Sequence, residues 1–297
     1  MKRGCESNLL VHPSSQQGEY IRVTPESAGW EHLSFAARHM KQSEAWEGQT
    51  ARSEYGFVVL GGSCTVESSW GTWEHIGRRQ DVFHGMPYAL YLPPHTHFRV
   101  SALSPELHIA YGWCPAEGRH AARLITPEQV GIEIRGGDNA TRQINSLFPP
   151  GFDCHRLVAV EVYTPSGNWS SYPPHKHDVH RVDASGQVLE ADLEEVYFYQ
   201  LDRPEGYALQ RVYTADGRLD EVMLARHGDA VLVPEGYHPV ASAHGYTTYY
   251  LNFLAGSAQS LANSDDPEHA WIKQTWKSKD PRVPVVTMEM ETAGATG

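Results

Sequence analysis

Cysteine is scarce in this chain of 297 residues: Cys5, Cys64, Cys114 and Cys154 lie far apart and form no C-x-x-C pair. Free thiols in a reduced, cytoplasmic setting, packed as small buried hydrophobes, are the reading this supports. Basic charge is also short, with 24 Lys and Arg against 36 Asp and Glu and a net charge of −12. A nucleic-acid partner is therefore not expected, since phosphate binding needs a basic field. An anionic ligand would have to be held by local Arg or Lys side chains. No run approaches the ~18 apolar residues of a membrane span. The opening Met1-Lys-Arg-Gly-Cys5 has no apolar core of a signal peptide, so no membrane partner is expected. Long amphipathic helical patterns are missing as well; only residues 30–41 and 127–130 carry short ones.

What remains points to strands. Val, Tyr and Thr recur in short runs punctuated by 26 Gly and 19 Pro, and the length suggests about two domains. Residues 1–19 read as a polar lead-in, 20–135 as a first barrel and 136–154 as a turn-rich connection. Residues 155–256 then read as a second barrel and 257–297 as a tail packed on a barrel or a neighbouring subunit. Within the connection, Arg142 would either reach across to the second barrel or sit in a solvated linker.

The two halves repeat. Glu54-Tyr-Gly-Phe lines up with Glu195-Val-Tyr-Phe at an offset of 141 residues, and the same offset carries Pro93 onto Pro234 and His97 onto His238. Such a repeat predicts two tandem β-barrels, and the strand spacing suits double-sheet jelly rolls. The second half has the fuller set of residues for chemistry; in the first, Pro93-Pro-His95-Thr-His97 imitates the histidine pair and leaves either a second metal site or, as preferred, a structural and dimerisation barrel. His175 and His177, in Tyr172-Pro-Pro-His-Lys-His-Asp178, are spaced so that one strand face presents both imidazoles. Glu194 or Glu195 opens an aromatic strand, and His238 follows the Pro234/Gly236 turn. Imidazoles and a carboxylate converging inside a barrel make a site for a divalent transition metal. At the same offset from the two histidines the first half has Ser34 and Ala36, so Glu54 and His97 are left without partners.

These motifs resemble the two metal-binding motifs of the cupin superfamily. The blocks YPPHKHD, EEVYFYQL, PEGYALQRVYT and GDAVLVPEGYHPVASAHGYTTYYLNFLAG resemble more specifically the 5-deoxy-glucuronate isomerases of myo-inositol catabolism, most densely over 163–256. The resemblance implies an all-β bicupin with one metal per chain on His175, His177, Glu195 and His238. Glu195 is preferred to Glu194 because the family's ligand directly precedes the aromatic strand. It further implies conversion of 5-deoxy-D-glucuronate to 2-deoxy-5-keto-D-gluconate, with a uronate as substrate and a homo-oligomer as the working form. Zn²⁺ fits the ligand types most easily, with Mn²⁺, Fe²⁺ and Ni²⁺ as alternatives.

Alternation along the aromatic strand turns Tyr197 and Tyr199 inward with Glu195, either as proton-handling groups, Tyr199 foremost, or as barrel core. Arg211 is the candidate grip for the substrate carboxylate, with Lys176, Arg156 and Arg181 as competitors. Other readings of the pattern are a ketol-isomerase of 5-keto-4-deoxyuronate from pectin breakdown, a cupin dioxygenase, and a non-enzymatic sugar-binding barrel.

Overall fold

The structure, a computed structural model, describes residues 7–288. Four of its sheets build two barrels. In the first, a six-stranded sheet that includes Ser34–Lys41, Ser53–Gly61, Tyr88–Leu92 and Glu106–Pro115 faces a four-stranded sheet centred on Cys64–Ser68 and His97–Ala102. In the second, an eight-stranded sheet runs through Val158–Thr164, Val188–Leu201, Ala230–Val233 and Thr248–Gly256. It faces a four-stranded sheet built on Tyr207–Tyr213 and Asp220–Arg226. The chain is thus an all-β double cupin.

The two large sheets pack back to back, which explains the aromatic strand. Along Val188–Leu201, Glu195, Tyr197 and Tyr199 turn into the second barrel, whereas Val196 and Phe198 enter the core shared with the first. Both faces are buried, so the strand reads as a continuous apolar and aromatic run over residues 196–199.

Three sequence expectations need correction. Residues 30–41 form a strand over Ser34–Lys41, not a helix, because its two faces alternate between the interior of the first barrel and the joint; the short pattern at 127–130 yields a single 3₁₀ turn, Pro127–Gln129. Residues 136–154 are more than a connection, since Arg142–Phe148 is a strand of the second barrel's large sheet; Gly131–Arg135, expected in the first barrel, pairs beside it, and Leu10–Val11 of the expected lead-in pairs with Ala230–Val233 at the other edge.

The third concerns register. Tyr55 stands opposite Leu92 in the first barrel, and Glu195 stands opposite Val233 in the second. Tyr55, not Glu54, is therefore the counterpart of Glu195, and Glu54 matches Glu194. The two glutamates confirm it by doing the same work. Glu54 accepts the backbone N–H groups of His155, Arg156 and Leu157 at 2.8–2.9 Å, and Glu194 accepts those of Glu31, His32 and Leu33. Each barrel thus clamps the segment that leads into the other barrel's sheet.

Candidate metal centre

His177, Glu195 and His238 are buried and bring one ligand atom each within 4.8 Å of one another, the one such group among the described residues. Each is delivered by local structure. His177 donates its Nδ1–H to the Leu193 carbonyl at 3.0 Å, while its own carbonyl accepts from Leu193 N at 2.8 Å, so it is latched to the strand that carries Glu195. His238 follows Gly236, which has φ of +85° and lies so close to the Tyr213 carbonyl that a Cβ there would sit 2.4 Å from its oxygen. Only glycine suits that turn, and the Gly236 carbonyl takes the Nδ1–H of His238 at 2.8 Å. His175, half-buried, turns its Nδ1 to the Pro173 carbonyl at 3.3 Å and its ring to that of His238, centroids 4.9 Å apart. It lines the same cavity but lies outside the close trio.

With Nδ1 of each ring tied to a carbonyl, the tautomer follows: every Nε2 is a bare acceptor in the neutral ring. Yet His177 Nε2 lies 2.9 Å from Glu195 Oε2, and His238 Nε2 lies 3.4 Å from the same oxygen. Lone pairs that face each other in a buried place require a cation between them. His238 Nε2 has no hydrogen-bond partner among the described residues, although it is buried. A proton satisfies one such contact, whereas a divalent ion satisfies all of them, so the donor set fits a metal.

Titration behaviour agrees. Burial, then the neighbouring His177 and His175, hold His238 well below the usual imidazole range; burial, then His177 and Arg142, bring His175 down to about 3. Burial also pulls on His177, but the hydrogen bond and charge of Glu195 leave it raised; burial raises Glu195 itself. Two of the three imidazoles are thus kept neutral, the form a metal needs.

The cavity of about 270 Å³ beside the trio is lined by Tyr197, Tyr250, Ser171, Asn252 and Arg142. Ser171, with φ of +48°, exchanges a hydrogen bond with Tyr197 Oη at 2.9 Å and lies 3.4 Å from Tyr250 Oη. Ser170 closes on Tyr250 Oη at 2.5 Å. Burial raises both phenols, so they stay protonated.

Two sequence candidates fall elsewhere. Tyr199 turns inward but lies deeper, in the barrel core, where it donates to Gln210 Oε1 at 2.7 Å. Arg211 points out of the barrel, because strand alternation sends Gln210 and Val212 inward. It is held by Asp220 at 2.7 and 2.9 Å and stacked 4.0 Å over Tyr213. Its competitors are committed too: Lys176 to Asp178 and Glu190, Arg181 to Glu190, and Arg156 to the Gly256 carbonyl at the barrel joint. Sequence reasoning did not place Tyr250, Ser171 or Asn252 in the site; only the alternation of Tyr250 with Asn252 along one strand offered a signal. In the first barrel, His97 is exposed and Glu54 is spent on backbone N–H groups.

A double barrel whose second unit gathers imidazoles and a carboxylate around one cavity defines a bicupin with a candidate metal centre. The profile of the KduI/IolB family matches residues 9–272, and the chain belongs to that family. It is 41% identical over 268 residues to a 5-deoxy-glucuronate isomerase of Geobacillus thermodenitrificans, covering 90% of this chain and 96% of the relative. A 5-deoxy-glucuronate isomerase of Geobacillus kaustophilus is 39% identical, with 91% and 96% covered. The crystal structure of an IolB-like protein from Salmonella typhimurium superposes with a TM-score of 0.85 at 37% identity, over 90% of this chain and 99% of that one. Oxalate decarboxylase of Bacillus subtilis, at 12% identity and a TM-score of 0.62 over 96% of this chain and 88% of its own, shares the fold alone.

Proposed function

We propose that the protein is a metal-dependent aldose–ketose isomerase that converts 5-deoxy-D-glucuronate to 2-deoxy-5-keto-D-gluconate. The observation that carries this is the facing acceptor set of His177, Glu195 and His238 in a chain of the KduI/IolB family. His175 completes the ligand set from the cavity wall, and Zn²⁺ is the ion the N₃O donor set favours. A bound divalent ion supplies Lewis acidity to the substrate's carbonyl oxygen and the adjacent hydroxyl oxygen.

The rest is the work of side chains. In the reaction one carbon loses a proton and its neighbour gains one, while the hydroxyl and carbonyl oxygens exchange roles, so no electron acceptor and no oxygen are consumed. Backbone carbonyls take Nδ1 of the three rings and so reserve Nε2 as the ligand atom before any metal arrives, which reduces reorganisation in the reaction. The neutral phenols of Tyr197 and Tyr250, bridged by Ser171, form a hydroxyl chain along the wall that can give a proton to one substrate oxygen and take it from another.

The names of the relatives favour the inositol-derived uronate over the pectin-derived one. Residues Cys64, Cys114 and Cys154 are free and buried, which supports a cytoplasmic setting; Cys5 lies outside the described residues. No helix among the described residues is long and apolar enough to cross a membrane. The second barrel's outer sheet exposes Trp169, Leu209, Val222 and Leu224, which supports a homo-oligomer.

The test is incubation under nitrogen with 5-deoxy-glucuronate and, separately, 5-keto-4-deoxyuronate, followed by NMR. The proposal requires a new ketone signal from the first substrate. Conversion of the second alone would move the protein to pectin breakdown, and a need for oxygen would make it an oxygenase.

A further inference from the structure

The metal trio accounts for one end of a uronate, the aldehyde and its neighbouring hydroxyl. It leaves the carboxylate at the other end without a partner. The cations that line the cavity are Arg142 and Arg135, with Lys273 at the adjoining mouth next to His175. Arg135 is exposed and engaged by Glu133 at 2.7 and 3.0 Å, and Lys273 is exposed and paired with Asp265 at 2.5 Å. Arg142 differs from both. It is 5% exposed, and no carboxylate lies within hydrogen-bonding distance of it among the described residues.

Its setting holds one side of the guanidinium and frees the other. Arg142 begins the strand Arg142–Phe148 in the second barrel's sheet, so its Cα is fixed by pairing with Arg135. Among the described residues Nη1 alone is used, donating to the carbonyls of Ala140 at 3.2 Å and Tyr172 at 3.1 Å. Nε and Nη2 remain, and these form one edge of the planar fork that meets a carboxylate in two parallel hydrogen bonds. Burial lowers Arg142 to about 10, so it is still a cation at neutral pH. A buried cation without a counter-charge is costly, and such a site becomes favourable when an anion enters.

We propose that Arg142 is the specificity-determining residue of the cavity, binding the substrate carboxylate through its Nε/Nη2 edge while the reacting oxygens lie at the His175/His177/Glu195/His238 end. The assignment rests on the isomerase reading for the identity of the acid, but not for the binding of an acid as such. It gives the cavity a fixed direction: carboxylate toward the strand Arg142–Phe148, carbonyl toward the imidazoles. It also means that an aldose of the same length without a carboxylate enters but is not held.

The test uses the full-length, metal-loaded protein and its Arg142→Met and Arg142→Lys variants, each checked for thermal unfolding and metal content. KM for 5-deoxy-glucuronate should rise at least tenfold in Arg142→Met, about 1.4 kcal/mol of lost binding. Arg142→Lys should recover part of that loss, and metal content should stay at the wild-type level in both. An unchanged KM in folded Arg142→Met, or a metal loss that tracks the rise in KM, would overturn the proposal. Calorimetry with D-gluconate and its uncharged counterpart D-glucitol supplies a second readout on wild-type protein, independent of turnover and of the variants' folding. The wild type should prefer gluconate by tenfold or more, and Arg142→Met should lose the preference. Equal binding of the two by wild type would remove the clamp. Should the wild type fail to isomerise 5-deoxy-glucuronate yet keep an Arg142-dependent preference for gluconate, the reaction assignment falls and the carboxylate site stands.

Discussion

His238 is the residue on which the candidate centre turns, because its buried Nε2 has no partner among the described residues while Nδ1 is held by Gly236. His238→Ala should remove most of the bound metal without unfolding the barrel, as read by elemental analysis and circular dichroism. His97→Ala should leave metal content unchanged, since His97 is exposed. Full metal retention in His238→Ala would withdraw the assignment. The adjacent glutamates make a sharper contrast, because neighbouring strand residues face opposite ways. Glu195→Gln should weaken metal binding and leave stability nearly unchanged. Glu194→Gln should do the reverse, since it trades a carboxylate for an amide opposite the N–H groups of 31–33, at about 1–3 kcal/mol of unfolding free energy. Equal metal loss in both variants would mean that the strand's register in solution is not the one described.

At the level of elements, the strand carrying Glu195 was readable from the sequence because alternation and aromatic content mark it. His175, His177 and His238 were readable because an i, i+2 pair and a Pro/Gly turn are local features. Glu54 illustrates what was not. Its alignment with Glu195 held over several positions, yet a slip of one residue turns a side chain to the opposite face, and only the pairing of Tyr55 with Leu92 reveals it. Arg142 was legible only as a choice between reaching across to the second barrel and sitting in a solvated linker: Gly136 and Gly137 mark a turn, and nothing local tells that the strand after it joins the second barrel. Arg211 had the right chemistry on the wrong face. The joint between the large sheets offers its own test. Gly112 packs under Phe253, whose Cδ1 a Cβ would approach to 2.4 Å, whereas Gly131 has open space. Gly112→Ala should cost about 1–3 kcal/mol by overpacking, and Gly131→Ala should be nearly neutral in a denaturant titration. Equal midpoints for both would show that the barrels do not meet as closely as described.

For the whole molecule, the joint between barrels should make stability depend on pH. His108 of the first barrel stacks on His39 with centroids 4.1 Å apart, meets the Tyr20 hydroxyl, and receives Gln200 Nε2 of the second barrel at 3.3 Å. Burial, then His39, His227 and Arg79, hold it well below the usual imidazole range, and burial lowers His39 and His227 as well. With the folded value depressed, the unfolded chain takes up protons first, so stability is complete above about pH 6.5 and declines below it. The unfolding midpoint of wild type should therefore fall more between pH 7.5 and 5.5 than that of His108→Gln; parallel curves would exclude the joint as the source. The proposed function does not rest on that joint but on a metal held by the facing acceptors of the second barrel. The most direct measurement is the oxygen-free rate of 5-deoxy-glucuronate isomerisation by chelator-stripped protein as Zn²⁺ is added back. The account predicts no rate without metal, and a rise that saturates near one equivalent per chain in wild type but not in His238→Ala. Full activity in the stripped protein would contradict it.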